Sequence, residues 1–476
     1  MPLRTETEKV AHLLRRFGLG ASEAEIDFYG QGGYAAAVDR LLNFESRPDT
    51  VEYTEEFLKD AQGRTPPNPR QAQVATYAYF LTTNRPLEAK MFLFWHDHFA
   101  TSAQKVSNGP TMFKHFHALR GAATGNFYDM LVTISKDPAM LHWLDNHLNL
   151  KGRANENFAR EVMELFTLGV GNYTEKDIQE AARAFTGWTY GFQRGQRVIP
   201  AREEVPRPNS VFVFDAANHD DANKTFFGKT GNWNGDDILR MLCEMPRTAF
   251  YITEKMWEWF AYPKPAKALV EKHAAVFQRS GLEIKALLKS IMLDPEFVSD
   301  RADRAILKNP IDFCVSMMRQ LGVGAALAPQ LQGYVASEGT AGRRMLVSAF
   351  RAMQGTQSMG MLLLQPPDVA GWPTQEQWIS TSTMVERMTF GPELFMNGRQ
   401  PTQIPAFNLV ASNPSAAGVV NALCSLFDVS LPTAKKQVIL DAVAEKSGGT
   451  VTRQNANQVA ADAMKLICST PEFQFM

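Results

Sequence analysis

Cysteine is scarce and scattered: the chain has four, Cys243, Cys314, Cys424 and Cys468, and no two form a Cys-x-x-Cys pair. That spacing argues against a cysteine-ligated zinc module and against a disulfide scaffold, and leaves buried free thiols as the reading. No excess of one charge exists, with 49 basic against 50 acidic residues. A balanced surface offers no electrostatic basis for nucleic acid or an anionic membrane as partner. Apolar runs are short, none approaching the roughly 18 residues of a membrane span. The N-terminal Met-Pro-Leu-Arg-Thr-Glu-Thr-Glu-Lys has no apolar core of a signal peptide, so the expectation is a cytoplasmic protein, with a trimmed exported protein as the alternative. Also missing are a P-loop, a Gly-x-Ser-x-Gly elbow, His-Glu-x-x-His, Gly-x-Gly-x-x-Gly and Cys-x-x-Cys-His. Their absence disfavours nucleotide hydrolases, serine esterases, zincins, dinucleotide enzymes and c-type cytochromes.

What is present is a chain of 476 residues, 45% hydrophobic and 21% charged, which is globular in composition and longer than one core usually grows. Helical punctuation dominates. Pro86 suits a first helical position, Thr174 to Asp177 reads as a capping box, and Gly169 suits a helix end. Strand signals are confined to Arg197-Val198-Ile199 and Val211 to Phe214, which read as one hairpin-like excursion. With no strand–helix alternation, the predicted fold is mainly α: a large multi-helix, bundle-like core with one small β excursion and a C-terminal helical segment. The boundaries follow composition, with a helical core over 1–396, a linker rich in Asn, Pro, Gly and Ser over 397–417, and the C-terminal segment over 418–476. The proline-rich stretch Arg64 to Arg70 reads as an exposed turn. Leu287 to Phe297 echoes Met464 to Phe473, each a helix stopped before proline with a phenylalanine tucked back.

Eight of the nine histidines fall in the first 219 residues, and the densest cluster is Phe94-Trp95-His96-Asp97-His98-Phe99. Imidazoles and carboxylates among large apolar residues are costly to bury without partners, so chemistry is expected there. On a helix over 86–99, His98 continues the apolar stripe Leu87, Met91 and Phe94, while His96 lies about 200° away at 100° per residue. Two such imidazoles chelate one ion on a strand but not on a helix, and Pro86-Leu-Glu-Ala-Lys favours the helix. His115, His117, His142 and His147 read as packing or surface residues. Over Asn155 to Leu168, Glu156, Arg160 and Glu164 form an ion-pair row at i, i+4 and i+8. Glu161 lies at the edge of the apolar stripe and needs a cation, histidine or metal, Arg183 being the plain structural candidate. Asn218-His219-Asp220-Asp221 suits either a hard cation or turn chemistry. Gln365 to Pro373 reads as a stiff loop with Trp372 as a packing wedge.

In order along the chain, His12 to Gly20, Phe94 to Ser102, Gly125 to Phe127, Asp137 to Leu141, Asn155 to Gly171, Glu180 to Trp188, His219-Asp220 and Pro366 to Pro373 resemble a bacterial family known as domain of unknown function 1800. Where that family often has His-Asn-His, this chain has His96-Asp97-His98, which adds a charge. The resemblance implies a candidate site of His96, His98, Asn155, Glu156, Arg160, Glu161, Glu164, His219 and Asp220. A local likeness to animal-type haem peroxidases rests on Arg153 to Glu156, Ile178 to Arg183 and His96-Asp97.

Two functions are therefore expected. The first is a metal-dependent, hydrolase-like enzyme with an unidentified divalent ion. Its metal ligands would come from His96, His98, Glu161, His219 and Asp220, and its catalytic groups from Glu164, Asp97, Glu156 and Arg160. The second is a non-catalytic binding or scaffold protein with a small molecule or another protein as partner.

Overall fold

Local capping chemistry starts the helices where the sequence predicts. Pro86 occupies the first turn of the helix Pro86–His98, and Thr174 with Asp177 makes a reciprocal capping box for Glu175–Ala184. Asn108 accepts the Thr111 N–H to open Gly109–Ala122, with Pro110 in its first turn. The computed structural model describes every residue except 1, 2, 4, 61, 195–196, 202–203, 335–344, 397–405, 411–412 and 449. Helix takes 61% and strand 6%, so the protein is mainly α. Among the described residues no single helix is long and apolar enough to cross a membrane.

The helix Pro86–His98 is buried along its whole length. A helix enclosed on all sides loses its polar face, and it touches Glu6–Phe17, Tyr34–Leu42, Arg70–Thr82 and Gly109–Ala122. Its one fully buried lysine, Lys90, pairs with Asp312 of the helix Pro310–Gln320. Breaking a buried pair of this kind costs several kcal/mol, about 3–5, which ties the two helices in register.

The β excursion differs from the expected hairpin. A strand the sequence does not announce, β1 (Trp188–Arg194), lies between β2 (Arg197–Pro200) and β3 (Val211–Phe214), antiparallel to both. Tyr190 faces Phe212, and Phe192 faces Ile199. Gly191, at the centre of β1, allows the Ile199 carbonyl an approach that a Cβ would block at 2.3 Å. A second ribbon pairs β4 (Lys224–Phe226) with β5 (Lys229–Gly231).

The helices Ala416–Leu426, Thr433–Ser447 and Ala456–Cys468 form the C-terminal part, and Ala456–Cys468 lies along Thr381–Met396. Val420, Met464 and Phe473 share one hydrophobic core with the rest of the chain. Much of the expected linker lies outside the described residues, and Ala406–Leu409 within it is a short helix. The tucked phenylalanines are as expected: Phe297 packs on His12 and Phe17, Phe473 on Phe313 and Phe427. All four cysteines are free and buried.

Candidate functional site

Consecutive residues of a helix leave its axis 100° apart, so His96, Asp97 and His98 reach three different places. Each meets a main-chain group. His96 Nε2 accepts the Leu364 N–H at 2.9 Å, which puts the ring proton on Nδ1. The ring stacks on Phe92 and stands edge-on to Trp372. Leu364 has a left-handed φ of +63°, and its carbonyl accepts from the Ala103 N–H at 2.7 Å. Asp97 Oδ1 accepts the Trp372 N–H at 2.7 Å. His98 Nε2 donates to the Phe166 carbonyl at 3.2 Å. Burial holds both imidazoles well below their ordinary pKa, with His115 adding to the effect at His96 and Lys255 at His98. Both are therefore neutral.

Gly371 makes the Asp97 contact feasible. Its φ is +94°, and a Cβ there would lie 2.4 Å from Asp97 Oδ1 and 2.6 Å from the Asp97 carbonyl. The Gln365 to Pro373 loop, read from sequence as a packing wedge, is thus seated on the end of the His-Asp-His helix by a hydrogen bond as well as by the Trp372 ring.

The expected helix over Asn155 to Leu168 changes character midway. Asn157–Glu161 is α-helical and Val162–Thr167 is π-helical. The Leu168 N–H reaches back five residues to the Met163 carbonyl at 2.8 Å, and Thr167 Oγ1 donates to the Val162 carbonyl at 2.7 Å. The wider turn takes Glu164 out of the predicted ion-pair row, and it accepts from the Tyr173 hydroxyl. Glu156 and Arg160 keep that row, with Arg160 reaching on to Glu175 at 2.7 Å. Glu161 is half-buried, and its pKa is raised by burial and then by Glu164. Arg183, the ion-pair candidate for Glu161, is instead held by Asp220 at 2.8 Å and Glu180 at 2.9 Å. His219 Nδ1 donates to the Thr186 carbonyl at 2.8 Å. Asn155 accepts the Asn157 N–H and donates its own N–H to Asn149 Oδ1, holding the loop ahead of the helix. Of the peroxidase-like pieces, Arg153 is exposed while His96 is enclosed.

The five expected ligands, His96, His98, Glu161, His219 and Asp220, are accordingly not assembled as one set. Among the described residues no three His, Cys, Asp or Glu side chains are grouped to hold a metal ion. The physical reason is the helical period at 96–98, together with the main-chain partner that occupies His219 and the arginine that occupies Asp220.

One candidate residue faces open space. Asp97 lines a cavity of about 240 Å³ between the His-Asp-His helix, the helix Pro246–Phe260 and the loop around Trp372. Lys255, Glu258, Trp259 and Trp378 also line it. Asp97 is 8% exposed, and its second oxygen, Oδ2, makes no hydrogen bond among the described residues. Burial raises its carboxyl to about 6, against the pull of the Lys255 charge and the Trp372 N–H. Burial lowers the Lys255 amine, with Asp97 and Glu258 opposing that shift. Glu258 Oε1 accepts the Lys264 N–H at 3.0 Å. An acid titrating near neutrality, an amine and aromatic walls in one small cleft are the ingredients of a site that binds a polar molecule and moves a proton. The sequence reading missed Lys255, Glu258 and Trp259. Their one signal is spacing at i, i+3 and i+4, which sets them on one face of a helix that otherwise carries no motif.

Fold and site define a mainly helical protein in which histidines, asparagines and carboxylates hold loop main chains around an acid-bearing cavity. The chain belongs to the family described as Protein of unknown function (DUF1800), matched over residues 12–475. No curated protein and no solved structure matches it.

Proposed function

We propose that the protein is a hydrolase-like enzyme acting on a small polar molecule in the Asp97–Lys255 cavity, with Asp97 as the proton-transferring group. One observation carries the reading: Asp97 is held in place through Oδ1 by the Trp372 N–H while its carboxyl faces the cavity and titrates near 6. In this scheme water attacks the electrophilic centre, protonated Asp97 gives its proton to the departing oxygen, and the water's own proton restores the acid. Lys255 receives the negative charge that builds up on the substrate. A cavity of about 240 Å³ suits a ligand below drug size. An asparagine at position 97 would keep the Trp372 hydrogen bond and lose the proton, so this chemistry belongs to chains with His-Asp-His.

The divalent ion expected from the sequence finds three carboxylates on the wall of this cavity, Asp97, Glu258 and Asp312, of which Asp312 is already held by Lys90 and Asn309, and they are not grouped closely enough to hold an ion. Proton transfer by Asp97 is therefore preferred to a metal-bound water. About one transition metal per chain in unchelated protein would reverse that preference.

The second reading, a non-catalytic binding or scaffold protein, is favoured by the service of His96, His98, His219 and Asp220 to the architecture. A screen of p-nitrophenyl esters, phosphates and glycosides between pH 5 and pH 7 separates the two. The enzyme reading expects turnover that falls by about 10²–10⁴-fold in Asp97→Asn. Turnover unaffected by that substitution, or ligand-induced stabilisation lost in Lys255→Met with no turnover in any class, would discard it.

A further inference from the structure

Next to the Asp97 cavity, with which it shares Asp312 and Met476, a buried to half-buried cluster holds more positive than negative side chains. Arg15 pairs with Asp428 through Nη1 and with Asp303 through Nη2 at 3.3 Å. Arg304 reaches the same Asp428 carboxylate at 3.5 Å. Arg16, fully buried, donates to the Ala261 and Ala302 carbonyls. Asp312 is spent on Lys90 and on Asn309 Nδ2, the latter at 2.8 Å. Lys308 sits with its amine 4.3 Å from the centre of the Phe473 ring. Five cations, Arg15, Arg16, Lys90, Arg304 and Lys308, thus face three side-chain carboxylates, Asp303, Asp312 and Asp428. Uncompensated charge of one sign is expensive inside a protein.

Two further observations locate what answers the excess. A cavity of about 20 Å³, room for one water-sized particle, is lined by Arg15, Lys308, Asp312, Ser316 and Gln320. Arg15, 8% exposed, has a buried Nε without a hydrogen-bond partner among the described residues. The other polar groups on the wall are occupied: the Ser316 hydroxyl donates to the Asp312 carbonyl, and Gln320 donates to the Ala21 and Leu426 carbonyls. Gly20 keeps the wall thin, since at its φ of +96° a Cβ would meet the Ser316 Cβ at 2.9 Å. Consistent with unrelieved repulsion, burial and then Arg304 push Lys308 down to about 7, and burial and then Arg15 push Arg16 down to about 9.

We propose that this Arg15–Lys308 cavity is a binding site for one small monovalent inorganic anion of chloride size. The volume rejects sulfate and phosphate, and a single negative charge offsets the surplus without a proton leaving Lys308. Because Arg15 belongs to Glu6–Phe17, while Lys308 and Phe427 come from later in the chain, the bound ion ties the N-terminal helix to the C-terminal part.

The test compares thermal unfolding of the full chain in sodium chloride and sodium gluconate at equal ionic strength, with sodium sulfate as a size control. Chloride is expected to raise the midpoint over gluconate by on the order of 1–3 °C, and sulfate to add no comparable increment. Lys308→Met should remove the chloride increment, whereas Asp97→Asn, which touches only the other cavity, should keep it. Crystals soaked in sodium bromide should show an anomalous peak between Arg15 and Lys308. Equal midpoints in chloride and gluconate would overturn the proposal. So would a bromide-free cavity filled by water or by the main chain of Met476, which also lines it.

Discussion

Replacing Asp97 with asparagine keeps the Oδ1 acceptor for the Trp372 N–H and removes the ionisable group in one step. In the folded protein burial holds this carboxyl at about 6, against an ordinary value of 3.8. The folded state therefore keeps the proton to higher pH than the unfolded chain does. Well below pH 3.8 both states are protonated and the residue has no linkage cost. Between 3.8 and about 6 the unfolded state loses its proton first, so stability falls as pH rises, and above 6 the whole cost is present. Two pKa units at about 1.36 kcal/mol each set that cost near 3 kcal/mol at pH 8. The new amide needs a partner in the cavity, and Lys255 loses a nearby opposite charge, so the net gain expected for Asp97→Asn is about 1–3 kcal/mol. Urea unfolding followed by tryptophan fluorescence from pH 4 to pH 8 measures it. The gain should be largest at pH 8 and smallest at pH 4. A variant no more stable than the parent at pH 8, or a gain that does not change with pH, would refute the strained-acid argument. More stability with less turnover is the trade expected of a catalytic acid.

Gly371→Ala should cost at least about 1–3 kcal/mol, because it combines a left-handed φ with a Cβ driven onto the Asp97 carboxylate. A lower melting midpoint with altered Trp372 emission would report it, and an unchanged midpoint would contradict the seating of the loop. His98→Leu removes the side-chain donor to the Phe166 carbonyl within the π-helical segment and should destabilise by about 1–3 kcal/mol. Since burial keeps His98 neutral while the unfolded chain's imidazole takes up a proton near pH 6.5, that loss should be largest at pH 8 and shrink toward pH 6, and a loss that grows as the pH falls would show a charged imidazole instead.

Features set by neighbouring residues were legible in the chain. Pro86, the Thr174 and Asp177 box and the scarcity of strand signals predicted the mainly α fold, because capping and proline geometry act within one helical turn. The unusual character of Phe94 to Phe99 was equally plain, since buried imidazoles and a carboxylate in an apolar run demand partners. The π-helical turn at Val162–Thr167 was not legible, because an α period and a π bulge share one apolar pattern until Thr167 and Leu168 choose their carbonyls. Nor was β1, whose Gly191 weakens it as a strand until β2 and β3 pair on either side.

By itself, then, the sequence determined the helical class, the family and the stretch where polar groups are buried, all of which rest on local pattern and composition. What those polar groups do was decided by tertiary structure alone. The partners of His96, Asp97 and His98 lie 268, 275 and 68 residues away. Only folding brings the Leu364 and Trp372 N–H groups and the Phe166 carbonyl to them, and sets Asp97 and Lys255 on the wall of one cavity. A hydrogen bond is set by distance in space, and nothing in the local sequence encodes which distant backbone group will come within 3 Å.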